Sequence, residues 1–281
     1  MSNTRTLILG GGSLGCALAE GLLEAGTHLP QDLVVTRRRP ELLEHLKLRG
    51  VEISSDNRAA VRTARCVVIA VEPSQIRPVL AEIAPDLDPA QHVLVSCVTG
   101  VGLDTLHRLI GANVPIVLAM PNTALAVGAS MTCLATRGAP EPVLEEVAAL
   151  FETVGVVEHI PEDLMSAATV LGACGIAYAL RFVRAASQGG IEIGFDSQTA
   201  RRIAAQTAYG AAKLLLDHSA HPEREIDRVT TPRGCTIAGL NEMEHRGFSS
   251  ALIKGVTTSF EKIASIGEDA RGPAPATRPT Q

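Results

Sequence analysis

Aromatic side chains are scarce in this sequence of 281 residues, which contains no Trp, two Tyr and five Phe. Proteins that hold single-stranded nucleic acid rely on such side chains as stacking platforms. A charge block of one sign is lacking too, because the formal net charge is only -5 and acidic and basic residues are mixed along the chain. Without aromatic platforms or a basic block, we predict no nucleic-acid partner.

Long hydrophobic runs and metal-ligand spacings are also lacking. No uninterrupted apolar run approaches the roughly 18 residues of a membrane span. Glycines at 10–12 break the first apolar stretch, so we expect neither a membrane helix nor a signal peptide. The six cysteines and eight histidines show no CxxC or metal spacing. The closest histidine pair, His218 and His221, precedes Pro222, which is expected to end a helix. We predict reduced thiols, no metal and a cytoplasmic protein.

Six apolar, β-branched runs in the first 160 residues predict strands, with helical patterns between them. The runs are nearly continuous, as in parallel strands buried on both faces. This alternation predicts an α/β fold with a doubly wound Rossmann sheet over residues 1–160. The predicted strands are 6–9, 33–36, 66–71, 92–97, 115–119 and 131–135.

The character of the chain changes near Pro161, where strand patterns give way to helical ones. Helices are expected at about 162–188, 196–218 and 234–266, the last with a break near Gly247. We predict an all-helical domain over 161–267 and a disordered tail over 268–281. The middle helix has a broad apolar face that a partner subunit would cover, so we predict an oligomer. That face comprises Ile203, Ala204, Thr207, Ala208, Ala211, Leu214 and Leu215.

A glycine-rich loop opens the chain in Thr6-Leu-Ile-Leu-Gly10-Gly11-Gly12-Ser13-Leu14-Gly15, a strand followed by GxGxxG and a helix. In this motif the first glycine allows a tight turn, and the second lets the backbone approach a pyrophosphate. The third lets helix and strand pack closely, and the helix N-terminus offers free N–H groups to phosphates. We predict dinucleotide binding here, against the alternative of a turn without a ligand.

The end of the second predicted strand selects the cofactor. NAD-binding domains place an Asp or Glu there, on the ribose, whereas this strand runs into Arg37-Arg38-Arg39. Arginine suits a 2′-phosphate because it forms charge-assisted, often bidentate hydrogen bonds. We therefore predict NADPH, with NADH as the alternative cofactor. Three solvated arginines remain the competing interpretation.

Further motifs resemble the pyrroline-5-carboxylate reductase family over residues 6 to about 265. They include Val68-Ile-Ala-Val71-Glu-Pro73, Ser96-Cys-Val-Thr-Gly100-Val101, Met120-Pro121-Asn122-Thr123, the stretches 172–178 and 205–216, and Asp227-Arg-Val-Thr-Thr231-Pro232-Arg-Gly234-Cys-Thr236-Ile237. That family reduces the C=N bond of the cyclic imine 1-pyrroline-5-carboxylate with NAD(P)H to give L-proline. The resemblance implies a Rossmann domain and a helical domain that intertwines with a second subunit. Homodimers result, and in many members a pentamer of dimers.

The resemblance also implies site residues. Those touching the cofactor are Gly10, Gly11, Gly12, Ser13, Leu14, Thr36, Arg37 and Arg38, with Asn57 near the adenosine. Those lining the path to the nicotinamide are Ala70, Val71, Pro73, Cys97 and Thr99, with Asn122 beneath the reacting ring. The substrate-binding residues are Cys174, Thr231, Arg233, Gly234, Cys235 and Thr236. Backbone N–H groups of the 231–236 turn would hold the substrate carboxylate.

The hydroxyl of Thr236 would face the ring nitrogen, which makes it the catalytic candidate. A protonated imine is already electrophilic and the cofactor supplies the hydride, so the protein mainly aligns the reactants and keeps the pocket dry. A strong general acid is therefore not obligatory. The competing interpretation of Thr236 is a plain helix N-cap.

Several positions depart from the family pattern. The usual Ser-Gly-Ser-Gly-Pro-Ala-Tyr reads Gly172-Ala-Cys174-Gly-Ile176-Ala-Tyr178, and the usual Pro-Gly-Gly turn has Arg233 at its centre. Arg228, Glu72 and Ala124 replace a usual Asn, Lys and Pro. These changes leave open a related substrate, a piperideine carboxylate or a substituted pyrroline, for which Arg228 and Arg233 would form a clamp.

Two rival interpretations remain from the sequence. A β-hydroxyacid dehydrogenase would need a lysine acid/base in the helical domain, and Lys213 is the candidate, although a solvated helical lysine is the simpler interpretation. A dinucleotide-binding sensor without catalysis is the non-enzymatic alternative, motivated by the changes around Cys174.

Overall fold

The computed structural model describes residues 5–111 and 113–271. The chain divides into two compact units, one comprising Met1–Cys174 with Ser259–Gln281 and the other Gly175–Thr258. The sequence predicted a domain boundary at 160, fourteen residues before the end of the first contiguous stretch.

Eight strands form one sheet in the order β3-β2-β1-β4-β5-β6-β7-β8. Every neighbouring pair is parallel except β6 and β7, which are antiparallel. From β1 the chain adds β2 and β3 on one side and then crosses to add β4 on the other side, so the strand order reverses between β1 and β4. Doubly wound sheets bind ligands at such a switch point. The strands are β1 Thr6–Leu9, β2 Leu33–Thr36, β3 Glu52–Ser54, β4 Cys66–Ile69, β5 Val93–Ser96, β6 Ile116–Met120, β7 Ser130–Thr136 and β8 Gly155–His159.

Twelve α-helices lie in the described residues, and a π-helical segment, Thr169–Cys174, separates the seventh from the eighth. In the first unit the helices are α1 Ser13–Glu24, α2 Glu44–Lys47, α3 Asn57–Val61, α4 Ile76–Ile83, α5 Leu103–Ile110, α6 Glu141–Glu152 and α7 Met165–Ala168. The later helices are α8 Gly175–Glu192, α9 Ser197–His218, α10 Pro222–Val229, α11 Cys235–His245 and α12 Phe248–Arg271.

Helices cover both faces of the sheet, which explains the continuous apolar strands. On one face, side chains of α3, α4 and α5 pack on the strands, with Ile76, Leu80 and Leu106 fully buried. On the other face α1, α2 and α6 do the same, with Leu18 and Phe151 fully buried. Burial of each such side chain contributes about 1.5–3 kcal/mol. The predicted α/β fold with a doubly wound sheet is therefore confirmed.

The sequence missed the strands at the two edges of the sheet, β3 and β8. Strand β3 is only three residues long, and none of its residues is fully buried. Strand β8 is half-exposed along its length. Edge strands lack the continuous apolar run of a central parallel strand, so the pattern used for prediction does not detect them.

Two predictions for the second half differ from the structure, the role of Pro222 and the start of the C-terminal tail. Pro222 begins α10 instead of ending a helix, with His221 as N-cap, because the first helical turn needs no N–H from proline. Helix α9 ends at His218, the residue at which the predicted helix over 196–218 also ends. Helix α12 runs to Arg271, so the predicted disordered tail is wrong over 268–271, and the rest of it lies outside the described residues.

The second unit exposes much of its apolar surface. Helix α8 has no buried residue, and α9 buries only Ala200 and Ala204. On the predicted apolar face of α9, Ile203 is 46% exposed and Leu214 is 43% exposed. Inside the unit, Phe182 and Phe248 meet edge to face with ring centroids 6.5 Å apart. Exposed apolar surface of this kind marks an interaction surface.

One helical stretch, Glu162–Glu192, is long and apolar enough to cross a membrane by length and composition, with a mean hydropathy of 1.5 and 11% of the window buried. Counting uninterrupted apolar runs missed it, because small and polar residues interrupt the run without lowering the average much. Helices at subunit interfaces share this composition, since they too bury an apolar surface.

Candidate functional site

The strand register brings the predicted cofactor residues to one edge of the sheet. Leu9 lies opposite Thr36 and Ile69, and Ile69 lies opposite Ser96. The residues that follow these strands, including Gly10, Arg37, Ala70 and Cys97, therefore share the carboxyl edge. Ligands of open α/β sheets bind at this edge.

Close backbone contacts explain two glycines of the loop. Gly10 has φ +107°, and a Cβ there would lie 2.6 Å from the carbonyl oxygen of Ala70. A Cβ on Gly15 would lie 2.1 Å from the carbonyl oxygen of Gly10, so only glycine lets α1 start this close to the loop. Gly12 differs, because a Cβ on it would meet nothing within 4 Å.

The N-terminus of α1 is open to an anion. Gly12 is its N-cap, no side chain caps the helix, and its first turn contains no acidic residue. Ser13 is exposed and Leu14 is half-buried at this end. Uncapped N–H groups and the positive end of the helix dipole attract phosphate. The space beside Gly12 and this helix end fit the pyrophosphate of a dinucleotide.

The end of β2 is tied to the glycine loop. The buried carbonyl of Thr36 accepts from Gly10 N–H at 3.1 Å and from Gly11 N–H at 2.8 Å. The guanidinium of Arg37 donates from Nη1 to the Gly11 carbonyl at 2.7 Å. Arg38 is exposed, and no hydrogen bond or ion pair joins it to the described part of the chain. The two arginines therefore have different surroundings.

Asn57 lies at the start of α3, beside the end of β2. Its Oδ1 accepts from Thr36 Oγ1 at 2.7 Å, and its Nδ2 donates to Glu82 Oε2 at 3.0 Å. Because Thr36 also holds the glycine loop, Asn57 belongs to the same hydrogen-bonded network. This places it on the side of the second strand, where the adenosine of a dinucleotide lies in Rossmann domains.

The predicted path to the nicotinamide follows β4 and β5. Ala70, Val71, Pro73 and Thr99 are half-buried at the ends of these strands. Cys97 is buried in the core, and burial raises the pKa of its thiol to about 12. The Cys97 side chain is therefore a neutral thiol in the core.

Asn122 follows β6 and joins two segments of the first unit. Its Oδ1 accepts from Ala124 N–H at 3.0 Å, and its Nδ2 donates to the Gly172 carbonyl at 3.2 Å. Gly172 lies in the π-helical segment, and such segments are frequent at functional sites. The structure thus connects the end of β6 with one of the segments that depart from the motif of the family that the sequence resembles.

A pocket of about 190 Å³ lies beside these groups, in the first unit. Its lining includes Ser96, Val98, Met120, Glu162, Met165 and Thr169. The carboxylate of Glu162 accepts from Leu103 N–H at 2.8 Å and from Arg137 Nη2 at 2.6 Å. The bond to Leu103 joins the start of α5 to the residues just before α7.

The predicted substrate turn is formed in the second unit. Gly234 N–H donates to the Thr231 carbonyl at 2.9 Å, and Gly234 is the N-cap of α11. No side chain caps α11, and its first turn has no acidic residue. Thr236 is the second residue of the helix, so its interpretation as the N-cap is wrong. These uncapped N–H groups can hold a carboxylate.

The two arginines proposed as a clamp are not equivalent. Arg228 donates from Nη1 to Glu225 Oε1 at 2.6 Å on the same helix. Arg233 is exposed and has a left-handed φ of 60°, immediately before Gly234, the N-cap of α11. Cys235 is exposed at the helix start, and Cys174 is half-buried at the end of the π-helical segment.

Two alternative chemistries find little support in the geometry. Among the described residues, no group of three or more His, Cys, Asp or Glu side chains could hold a metal ion. Lys213 forms an ion pair with Asp217, Nζ to Oδ2 at 2.7 Å, and the hydrogen bond to Asp217 raises the pKa of Lys213. A lysine that acts as a base needs a lowered pKa, so the ion pair with Asp217 favours the interpretation of Lys213 as a solvated helical lysine.

Sequence reasoning missed the groups that hold the site residues. Glu82, Glu162 and the Gly172 carbonyl each bind a residue far away in the sequence. No local pattern marks such partners, because their role depends on the folded topology.

Comparison with known proteins gives family matches over both parts of the chain. A family model described as pyrroline-5-carboxylate reductase dimerisation matches residues 162–266. A second, NADP oxidoreductase coenzyme F420-dependent, matches residues 5–100. Among solved structures, Plasmodium falciparum pyrroline carboxylate reductase with NADP bound has a TM-score of 0.87 at 25% identity, over 95% of this chain and 99% of that chain.

Curated relatives give the same family. Pyrroline-5-carboxylate reductase 1 of Dictyostelium discoideum is 44% identical over 92% of this chain. The chain spans about half of the length of that relative, 49%. Pyrroline-5-carboxylate reductase 2 of the same organism is 42% identical over 93% of this chain and 92% of its own length. Pyrroline-5-carboxylate reductase of Mycobacterium tuberculosis is 36% identical over 93% of this chain and 96% of its own length. The chain belongs to the pyrroline-5-carboxylate reductase family.

Proposed function

We propose that this protein reduces 1-pyrroline-5-carboxylate to L-proline with NADPH. The observation that carries the proposal is the loop Gly10–Gly12, held by the end of β2 and open at Gly12, in a chain of this family. The curated relatives are named for this reaction, and a solved relative contains NADP. The exposed Arg38 beside the loop supports NADPH over NADH, because its guanidinium is available for a 2′-phosphate.

When bound, the nicotinamide supplies a hydride to the imine carbon, and the protonated ring nitrogen becomes the amine of proline. The chain itself binds and orients. The uncapped start of α11 holds the substrate carboxylate through backbone N–H groups. The hydroxyl of Thr236 hydrogen-bonds the ring nitrogen and keeps its proton in place. Asn122 fixes the end of β6, and the family resemblance implies that the reacting ring would lie above Asn122. No general acid is required, since the imine is protonated before the hydride arrives.

The assembly belongs to the same proposal. The exposed apolar faces of α8 and α9 pack against a second copy of the chain, giving a homodimer through the helical domain. Five such dimers form the complete assembly, as the family resemblance implies. The apolar stretch Glu162–Glu192 is then covered by protein instead of lipid, and the enzyme works in the cytoplasm without a membrane or nucleic-acid partner.

The test is NADPH oxidation by the purified protein with 1-pyrroline-5-carboxylate, with NADH in parallel and proline quantified as product. We expect turnover in the ordinary enzyme range, on the order of 1–1000 per second. NADPH binding without turnover would overturn the proposed reaction. A six-membered piperideine carboxylate and a substituted pyrroline then test the related imines, and failure of all three favours a sensor.

A lysine variant separates this reaction from that of a β-hydroxyacid dehydrogenase. Lys213→Ala removes only an ion pair with Asp217 on the helix surface, so we expect turnover on the imine to stay close to that of the wild type. General acid–base catalysis contributes about 100-fold or more. A loss of that size in Lys213→Ala would favour the dehydrogenase.

A further inference from the structure

Arg37 is hydrogen-bonded to the glycine loop, whereas its neighbour Arg38 is exposed. The Arg37 Nη1 donates to the Gly11 carbonyl at 2.7 Å, and its side chain is half-buried. A hydrogen bond from a guanidinium is charge-assisted and stronger than a neutral one. The Cys16 thiol reaches the same carbonyl at 3.5 Å, a longer and weaker contact. Arg37 is therefore the main group that orients this carbonyl.

The orientation matters because Gly11 is held at both of its peptide groups. Its N–H donates to the Thr36 carbonyl at 2.8 Å, and its carbonyl accepts from Arg37. Consecutive glycines have little conformational preference of their own, so these bonds replace the steric restriction that side chains would supply.

The next peptide links this bond to the ligand space. In a planar trans peptide, the carbonyl of Gly11 and the N–H of Gly12 point in opposite directions. When Arg37 holds the carbonyl, the Gly12 N–H is directed away from Arg37. Gly12 is also where a Cβ would meet nothing within 4 Å, at the N-cap of α1.

We propose that Arg37 is a positioning residue for the cofactor pyrophosphate: it fixes the Gly11–Gly12 peptide, and it leaves recognition of the 2′-phosphate to other groups such as Arg38. This inference rests on the proposed function only in requiring that a nicotinamide dinucleotide binds the loop. The sequence predicted that Arg37 and Arg38 both bind the 2′-phosphate, whereas this proposal assigns that role to Arg38 and not to Arg37.

The experiment measures dissociation constants of NADPH and NADH for the full chain by titration calorimetry without imine. Arg37→Ala is expected to weaken both cofactors by the same factor, about tenfold, the scale of one charged hydrogen bond. Arg38→Ala is expected to weaken NADPH alone. Arg49→Ala is the matched control, because Arg49 pairs with Glu24 at 2.8 Å and does not contact the loop, so both constants should stay unchanged.

Two further variants test the same role of Arg37 if Arg37→Ala folds poorly. Arg37→Lys restores a charged donor and Arg37→Gln a neutral one, and both should recover part of the affinity for NADPH and NADH equally. In steady state with saturating imine and varied cofactor, these variants should raise KM for both cofactors and leave kcat near that of the wild type.

Selective weakening of NADPH by Arg37→Ala would overturn the inference and make Arg37 a direct phosphate ligand. Unchanged binding of both cofactors would overturn it as well. These outcomes are distinct from failure of the proposed reaction, which would appear as wild-type protein that binds NADPH without reducing the imine.

Discussion

The side-chain amide of Asn122 binds the carbonyl of Gly172, fifty residues further along the chain, at 3.2 Å. The same amide caps the turn after β6 through its oxygen, which accepts from Ala124 N–H at 3.0 Å. One side chain therefore positions both the end of a central strand and the π-helical segment.

Changing Asn122 separates these two roles. Asn122→Ala removes both bonds, and we expect a loss of about 1 kcal/mol in the free energy of unfolding from the lost cap. We also expect kcat to fall about tenfold or more, since small displacements of a reacting group are costly. Asn122→Asp keeps the acceptor for Ala124 but loses the donor to Gly172. Urea unfolding and steady-state kinetics check both variants, and wild-type kcat in Asn122→Asp would contradict the role of the Gly172 bond.

How far the sequence predicts this site depends on the range of the interactions. The glycine loop and the central strands follow from local patterns, because a buried parallel strand and a GxGxxG turn each impose their composition on neighbouring residues. The bonds from Arg37 to Gly11 and from Asn122 to Gly172 join residues 26 and 50 positions apart. No pattern of neighbours contains that information.

Exposure sets a second limit on prediction from sequence. Strand β8 is half-exposed and lacks the continuous apolar run that marks a central strand.

Pro222 shows a third limit, because the sequence suggested that it ends a helix although it begins α10. Proline is compatible with a helix start and incompatible with its interior. The choice between a helix start and a helix interior depends on where the preceding helix stops. Helix α9 stops at His218, and its C-cap Ser219 is in a left-handed conformation.

Two glycines of the loop give a matched pair of variants. Gly12→Ala should fold normally, because its φ is -85° and a Cβ would meet nothing, but the methyl group enters the space for the pyrophosphate. We expect NADPH affinity to fall about tenfold or more, with the thermal midpoint of the apo protein unchanged. Gly15→Ala should instead lower that midpoint, because its Cβ would lie 2.1 Å from the Gly10 carbonyl oxygen.

Calorimetry of the apo proteins and NADPH titration distinguish the two variants. If Gly12→Ala bound NADPH as tightly as the wild type, the pyrophosphate could not lie against Gly12. A thermal midpoint of Gly15→Ala equal to that of the wild type would contradict the close packing of α1 on the loop.

Asp86 makes the stability of the first unit depend on acid pH. Hydrogen bonds from Arg58 and Arg62, at 2.5 and 2.8 Å, hold the pKa of its carboxyl group below the ordinary value. A carboxyl whose pKa is lower in the folded state stabilises that state above its unfolded pKa, about 3.9. This contribution is lost as the pH falls through the lowered pKa.

The variant Asp86→Asn removes the titrating group. Wild-type protein should be the more stable of the two between about pH 5 and 7, and the difference should narrow below about pH 4. Urea midpoints of both proteins across this range provide the measurement. A difference that stays constant on acidification would contradict the assigned origin of the shift.

Arg233 departs from the family pattern, and its effects on backbone strain and on substrate binding can be measured separately. Its φ of 60° lies in the left-handed region, where a residue with a side chain costs about 1–2 kcal/mol. Arg233→Gly should therefore raise the free energy of unfolding by about 1 kcal/mol. If the arginine also binds the substrate carboxylate, the same variant should raise KM for the imine about tenfold, with kcat little changed because the charge acts on substrate binding.

Ser219 supplies the control for strain alone, because it too has a left-handed φ, 49°, at the end of α9. Ser219→Gly should gain stability without any change in KM. A gain in stability from Arg233→Gly with unchanged KM for every imine tested would make Arg233 a solvated surface arginine. A rise in KM for one ring size and not another would instead show that this position selects the substrate, since the uncapped start of α11 offers the same N–H groups to any carboxylate.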